Sequence, residues 1–172
     1  MDVHLPDGLR IAVRPIRPED KPLLAEGLRR QSPETIQRRF MAPKARFTSS
    51  ELRYLTEVDG CDHVALLAFE AGAPQDRADG MVGVARFVRD RFRPDTAEFA
   101  ILICDEYQRR GAGRALGGLL IDEARARGIT RFTAMTQSDN VPAQRLIAAI
   151  GEHLEYVPAG DGTREVVVQL AA

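Results

Sequence analysis

An α/β domain around one mixed sheet is the fold class this sequence predicts, and three observations predict it. The apolar pattern switches along the chain between the twofold period of strands and the 3.6-residue period of helices. The order of the segments is strand, helices, three strands, helix, strand, helix, two strands, which places a βαβ crossover in the middle of the chain. The length of 172 residues, 44% of them hydrophobic, fits a single domain with its own core.

The elements follow in order. Gly8 to Ile16 alternates apolar positions and reads as a first strand, ended by Pro15 and Pro18. A helix opens at Pro18 and Glu19, with Leu23, Leu24 and Leu28 on one side; Ser32 then caps a second helix with Pro33 at its first position. A third begins at Ser49 or Ser50. His63 to Glu70 and Gly80 to Val88 are strands joined by a turn-rich connection. Thr96 to Cys104 is the most apolar segment and reads as a buried central strand. Ala112 to Arg127 carries Leu116, Leu119, Leu120 and Ala124 on one stripe and stops at Gly128. A strand at Thr130 to Thr136, a capped helix ending at Gly151, and strands at His153 to Val157 and Arg164 to Leu170 complete the chain.

With 24 Lys plus Arg against 25 Asp plus Glu, the chain has no general electrostatic affinity for nucleic acid or an anionic membrane, so any anion site must be local. Cys61 and Cys104 read as buried thiols of a reducing compartment. His4, His63 and His153 show no ligand spacing, and no metal is expected. The first ten residues lack the pattern of a signal peptide and no apolar run is long enough to span a bilayer, so the expected compartment is the cytoplasm.

The stretch CDEYQRRGAGRAL, Cys104 to Leu116, stands where the central strand hands over to a helix. A helix N-terminus offers backbone N–H groups with no internal partner and the positive end of its dipole. Gly111 and Gly113 remove side chains that would hold a phosphate away, and Arg109, Arg110 and Arg114 add charge suited to phosphate oxygens. The turn suits a pyrophosphate. It is not a P-loop, since no Gly-Lys-Ser/Thr ending follows, and a dinucleotide fingerprint would need glycine where Leu116 stands. In isolation it also fits a tight strand-to-helix turn with a solvated arginine face.

QRRGAG, Gln108 to Gly113, matches the Q/R-x-x-G-x-G/A signature of the GNAT N-acetyltransferase superfamily, and SDNVPAQRLIAAIGEHLEYV resembles its second landmark, an asparagine opening a helix that leads into a strand. The element order matches as well, so the resemblance covers nearly the whole chain. RPIRPEDKPLLAEGLRRQSPETIQRRF with AEFAILICDEYQRRGAG looks like the acetyltransferase domain of bacterial protein lysine acetyltransferases. The resemblance implies one GNAT-like domain over residues 1–172, with a mixed, mostly antiparallel sheet of six or seven strands flanked by four or five helices. The extra domain that such enzymes often carry is not expected.

What the resemblance implies can be placed residue by residue. Arg109, Arg110, Gly111, Ala112, Gly113 and Arg114 would hold the pyrophosphate of acetyl-CoA, chiefly through backbone N–H groups. Leu102, Ile103 and Cys104 would offer backbone groups to the pantetheine arm like an added strand, where a bulge splays the central strand from the next. A strand N–H would stabilise the oxyanion of the thioester. Asn140 either contacts the cofactor arm or serves as an N-cap. A lysine amine, with a pKa of about 10.4, is neutral at pH 7 on the order of once in a thousand, so a base is needed. Glu98 is the candidate, in apolar surroundings that raise a carboxylate's pKa; its other reading is a solvated glutamate paired to Arg86. Many family members carry a tyrosine general acid where this chain has Ile147, and Tyr107 and Tyr156 lie elsewhere in sequence.

The residues between Pro18 and Thr56 form one wall of the acceptor slot, with Phe40, Met41 and Phe47 as an aromatic edge or as core. A protein lysine is the leading acceptor by resemblance, followed by a small amine such as a polyamine, amino acid or antibiotic. From a different class comes a non-catalytic acyl-CoA-binding module. Sheet-edge dimers are common in the superfamily, and the last strand would be the pairing edge of a homodimer.

Overall fold

The computed structural model describes residues 1–170. Eight strands form one sheet: β1 (Asp2–His4), β2 (Arg10–Pro15), β3 (His63–Glu70), β4 (Met81–Arg89), β5 (Thr96–Ile103), β6 (Arg131–Gln137), β7 (Leu154–Gly160) and β8 (Thr163–Gln169). Their order across the sheet is β1-β2-β3-β4-β5-β6-β8-β7. Every neighbouring pair is antiparallel except β5 with β6. The expected count of six or seven strands is raised by β1, whose three residues are too few for an alternating pattern to show. β8 is interior, paired on both sides, so the exposed edge near the C-terminus is β7 and not the last strand.

Five helices cover the sheet: α1 (Lys21–Arg29), α2 (Pro33–Phe40), α3 (Ser49–Thr56), α4 (Ala112–Arg125) and α5 (Val141–Ile150). Ser32 caps α2, its hydroxyl accepting from the Thr35 N–H at 3.2 Å. The cap of α3 is Thr48 rather than Ser49 or Ser50, because only Thr48 has a glutamate three residues on; Thr48 accepts from the Glu51 N–H at 3.2 Å and Glu51 accepts from the Thr48 N–H at 2.7 Å. Alternation along β4 and β5 sends Phe87, Phe99 and Ile103 to the α4 side and Val84, Arg86, Glu98 and Leu102 to the α1–α3 side. On the α4 side Phe132 stacks on Phe99 at 5.1 Å and leans on Phe87 at 6.0 Å, above Leu116 and Leu120.

Two polar contacts fix the helices of the other face. Arg14 of β2 makes a two-pronged bond to Asp20, both at 2.8 Å, and the Arg17 N–H adds a third at 2.7 Å. Asp20 is buried and Arg14 half-buried, and the pair sets where α1 leaves the sheet. On β4, Arg86 Nη1 donates to the Leu55 carbonyl at 3.0 Å and to His63 Nε2 at 3.2 Å. A guanidinium has no acceptor, so Nε2 must accept and the His63 proton sits on Nδ1. Burial, with Arg86 alongside, pushes the His63 pKa down to about 4. Of the two thiols expected to be buried, Cys104 is; Cys61 is exposed, in a turn where its N–H donates to Asp59 at 2.8 Å, and both are free.

Removing one partner of a buried ion pair strands the other charge, so Asp20→Ala is expected to lower the unfolding free energy by about 3 kcal/mol in urea titrations. His63 titrates near 6.5 when unfolded and near 4 when folded. Its contribution is therefore complete above pH 6.5 and is lost as pH falls to about 4, because the unfolded chain then binds the extra proton. Unfolding free energy measured across that window should fall with pH in the wild type, and His63→Gln should flatten the slope.

Candidate active site

The site is made by strands that stop pairing. β5 keeps an unbroken register with β4 from Arg89↔Ala97 to Gly83↔Ile103. Against β6 it pairs only at Thr96↔Arg131, Ala97↔Phe132 and Glu98↔Thr133, and then the two part. No register shift against β4 accompanies the parting; where a bulge is expected from the resemblance, β5 keeps its register with β4 while β6 leaves it and continues beside β8.

Beyond Glu98, one edge of β5 has no strand beside it. The Cys104 N–H donates to the Val82 carbonyl at 2.9 Å, so the alternation of strand groups turns Leu102 and Cys104 toward β4 and Ile101 and Ile103 toward the slot. Of Leu102, Ile103 and Cys104, only Ile103 therefore presents backbone to the slot, and its carbonyl already accepts from Gln108 Nε2 at 3.1 Å. Ile101, not expected from the sequence, lies past the last rung with both its N–H and C=O on the slot side. Burial pushes the Cys104 thiol up to about 12, and it is no nucleophile.

The arginine and glycine turn closes one end. Arg109 (φ 60°) and Gly111 (φ 91°) both adopt left-handed backbone, and Gly111 immediately precedes α4. The N–H groups of Ala112, Gly113 and Arg114 have no acceptor among the described residues, while the Ala115 N–H begins the helical ladder on the Gly111 carbonyl at 3.0 Å. Three free N–H groups at the head of a 14-residue helix form a cradle for an anion. Arg109 and Arg114 are exposed and make no ion pair among the described residues. Arg110 is spent differently: it pairs with Asp7 and lies over the Tyr107 ring, which pins the β1–β2 turn to the cradle.

Asn140 lies on the opposite lip, where β6 ends. It is buried, and its Oδ1 accepts from the Ala143 N–H at 3.1 Å, so the N-cap role is present. Ile147 is in the core. The Tyr107 hydroxyl donates to Glu70 at 3.0 Å, and burial together with that bond pushes its pKa up to about 12; Tyr156 is on β7 beneath Arg164.

Glu98 occupies the last rung before the parting, exposed on the α1–α3 face. It forms no ion pair with Arg86, whose guanidinium is turned to Leu55 and His63. Its charge is felt by Arg39 of α2, which sits with Arg86, Phe40, Phe47, Val84 and Leu102 around a small cavity between α2 and the sheet. Arg39 carried no signal in sequence, since one arginine in QRRF reads like the next; only the fold separates Arg39, turned inward, from Arg38, paired with Glu34 at 2.7 Å. Asp105 was equally silent. It accepts from the Ser32 N–H at 2.6 Å and the Thr35 hydroxyl at 2.5 Å, tying the start of α2 to the cradle. Among the described residues no three His, Cys, Asp or Glu side chains gather as a metal site.

Comparison with known proteins agrees with this geometry. Residues 30–151 match the model of the acetyltransferase (GNAT) family. The chain is 35% identical over 149 residues to acetyltransferase Pat of Mycolicibacterium smegmatis, covering 87% of this chain and 43% of that protein, so it spans less than half the length of that relative. It superposes on the GNAT domain of S. lividans PAT with a TM-score of 0.85 at 28% identity, covering 99% of this chain and 96% of the other. The acetyltransferase fold of yncA from Salmonella typhimurium, solved with its cofactor acetyl-CoA, matches with a TM-score of 0.71 at 20% identity over 94% of each chain. A family match across most of the chain, on a sheet that parts beside an open helix N-terminus, establishes that this chain belongs to the GNAT acetyltransferase family.

Proposed function

We propose that this chain transfers an acetyl group from acetyl-CoA to a primary amine, with a protein lysine as the acceptor, by direct attack within a ternary complex. The observation that carries the reading is the position of Glu98 at the last rung of a parted strand pair whose other end meets the open N-terminus of α4. From Glu98 to Ile103 the strand rises about 16 Å, a span that an extended arm crosses while its phosphates rest on the cradle and its thioester reaches the carboxylate. The residues fit such a donor: backbone N–H groups without acceptors await the pyrophosphate, and Ile101 offers strand edge to the pantetheine amides. The Salmonella protein of the same fold was solved with acetyl-CoA, which supports the choice of donor.

In this reaction the amine nitrogen attacks the thioester carbonyl. Glu98, directly or through a water, takes the amine proton; the C–N bond forms, and the C–S bond breaks as the thiolate leaves. A strand N–H on the slot side would stabilise the oxyanion as it develops. A thiol with a pKa of about 8.5 is a good leaving group near neutral pH, so solvent suffices as the proton source. This accords with Ile147 in the tyrosine position and with Tyr107 engaged by Glu70.

A macromolecular acceptor is supported by the open floor beside Glu98. The register carries that face across β6, β8 and β7 from Thr133 to Met135, Glu165 and Val157, and Met135 and Val157 are 44% and 48% exposed. A polyamine is a poorer fit, because Arg39 and Arg86 line the cavity near Glu98 and would repel it. A binding module without catalysis would have Glu98 facing solvent or locked to an arginine; Glu98 is exposed and makes no ion pair among the described residues, so turnover, measured as below, separates the two readings.

Glu98→Gln should lower kcat by about 10²- to 10⁴-fold in a free-thiol release assay with lysine-containing proteins, while calorimetry shows acetyl-CoA still bound. Tight binding with no turnover of any amine by the wild type would favour the non-catalytic module. Gly111→Ala should weaken acetyl-CoA binding about tenfold in the same calorimetry. A left-handed φ costs an L-residue about 1–2 kcal/mol, and the added Cβ would stand 2.7 Å from Pro6 Cδ.

A further inference from the structure

Arginines near the acceptor face divide into those with carboxylate partners and those without. Arg38 is paired with Glu34, Arg30 with Glu106, and the neighbouring Lys44 with Glu51 at 2.6 Å. Arg39 has no hydrogen bond or ion pair among the described residues; its guanidinium lies 5.0 Å from the Phe40 ring centroid. Arg86 is 5% exposed and uses only Nη1, for Leu55 and His63, so Nε and Nη2 have no acceptor. Both line the same cavity of about 40 Å³, among Phe40, Phe47 and Leu102. That is room for about three water-sized groups, the size of a carboxylate.

Two guanidiniums lining one largely apolar cavity repel one another; their unbonded nitrogens keep a narrow contact with solvent, and an anion entering the cavity would replace the hydration that the surrounding apolar side chains take away. Burial lowers the pKa of each below the ordinary arginine value; Glu98 partly offsets this for Arg39, and Arg39 itself adds to it for Arg86. Glu98 is one negative charge against two positive ones, and in the proposed reaction it becomes neutral on taking the amine proton. An uncompensated cationic cavity next to the base is therefore built for an anion that arrives with a reactant.

We propose that Arg39 and Arg86 form a carboxylate-binding subsite at the acceptor end of the slot. The inference rests on the acetyltransferase reading and narrows its substrate class: one reactant carries a carboxylate near its reacting end. The source is either the acceptor, as an acidic residue flanking the target lysine or the carboxylate of an amino acid, or the acyl chain of a dicarboxylic acyl-CoA. Guanidinium–carboxylate bonds formed away from water are strong enough to discriminate at least tenfold.

The test uses matched reactants and a binding probe. Wild type, Arg39→Gln and Arg39→Lys are assayed with a lysine peptide flanked by glutamate and its glutamine twin, with 4-aminobutyrate and butylamine, and with butylamine plus succinyl-CoA or acetyl-CoA. The carboxylate member of at least one pair should show a kcat/KM at least tenfold higher in the wild type, mainly through KM. The difference should vanish in Arg39→Gln and return in part in Arg39→Lys; the pair that discriminates identifies the source. Equal values within all three pairs, or a preference that survives Arg39→Gln, would overturn the subsite. If no amine is acetylated, the proposed function fails on its own, and thermal shift with propionate decides the subsite. Stabilisation of the wild type that is absent in a folded Arg39→Gln retains it, and no stabilisation of either removes it.

Discussion

A buried strand edge must have a hydrogen-bonding partner, and β5 loses its partner halfway along. Seven rungs hold it to β4, three hold it to β6, and the remaining groups on the β6 side face an opening that no strand of the described residues fills. The rest of the site depends on this mismatch. The parallel pairing is short while β6 pairs with β8 over seven rungs, so the sheet consists of two well-paired halves joined by a three-rung seam. The crossover helix α4 springs from the end of β5, which sets an uncapped helix head at one end of the opening, and Glu98 marks the other. Under the proposed function, a donor with phosphates at one end, amides in the middle and a thioester at the other would meet matching groups in that order.

The two sides of the slot are mechanically connected. Asp105, one turn before the cradle, accepts from the Ser32 N–H and Thr35 hydroxyl at the head of α2, while its own N–H donates to Gln31 at 3.0 Å. Gln108, within the signature itself, donates to the Thr35 hydroxyl at 2.9 Å and to Asp105 at 3.1 Å. The turn before α4 and the helix carrying Arg39 and Phe40 thus share one polar cluster.

Sequence patterning was strongest where burial on one face imposes a period. His63–Glu70 is read to the residue, and α2 is announced by Ser32 and Pro33, since a cap and a ring-fixed φ are local facts. The three residues of β1 and the interior place of β8 were illegible, because they depend on which strands meet across the sheet. The site divides in the same way. The cradle residues were legible as glycines and arginines at a strand-to-helix junction, but the engagement of Arg110 by Asp7 was not, as it spans 103 residues of sequence. Likewise, which residues of β5 expose backbone to the slot is a matter of register, and the shift from Leu102 and Cys104 to Ile101 and Ile103 follows from a single bond, Cys104 N–H to Val82.

Charge explains why the acceptor face is arranged as it is. A base that must accept a proton from an ammonium has to remain anionic until the amine arrives, and a lone carboxylate in an apolar setting tends instead to hold a proton. Glu98 is exposed, and Arg39 and Arg86 line the cavity on its face of the sheet. The same arginines would disfavour a cationic acceptor if nothing neutralised them. In the proposed reaction, a carboxylate travelling with a reactant would satisfy both demands: it would cancel the charge of Arg39 and Arg86 and leave Glu98 to meet the incoming ammonium.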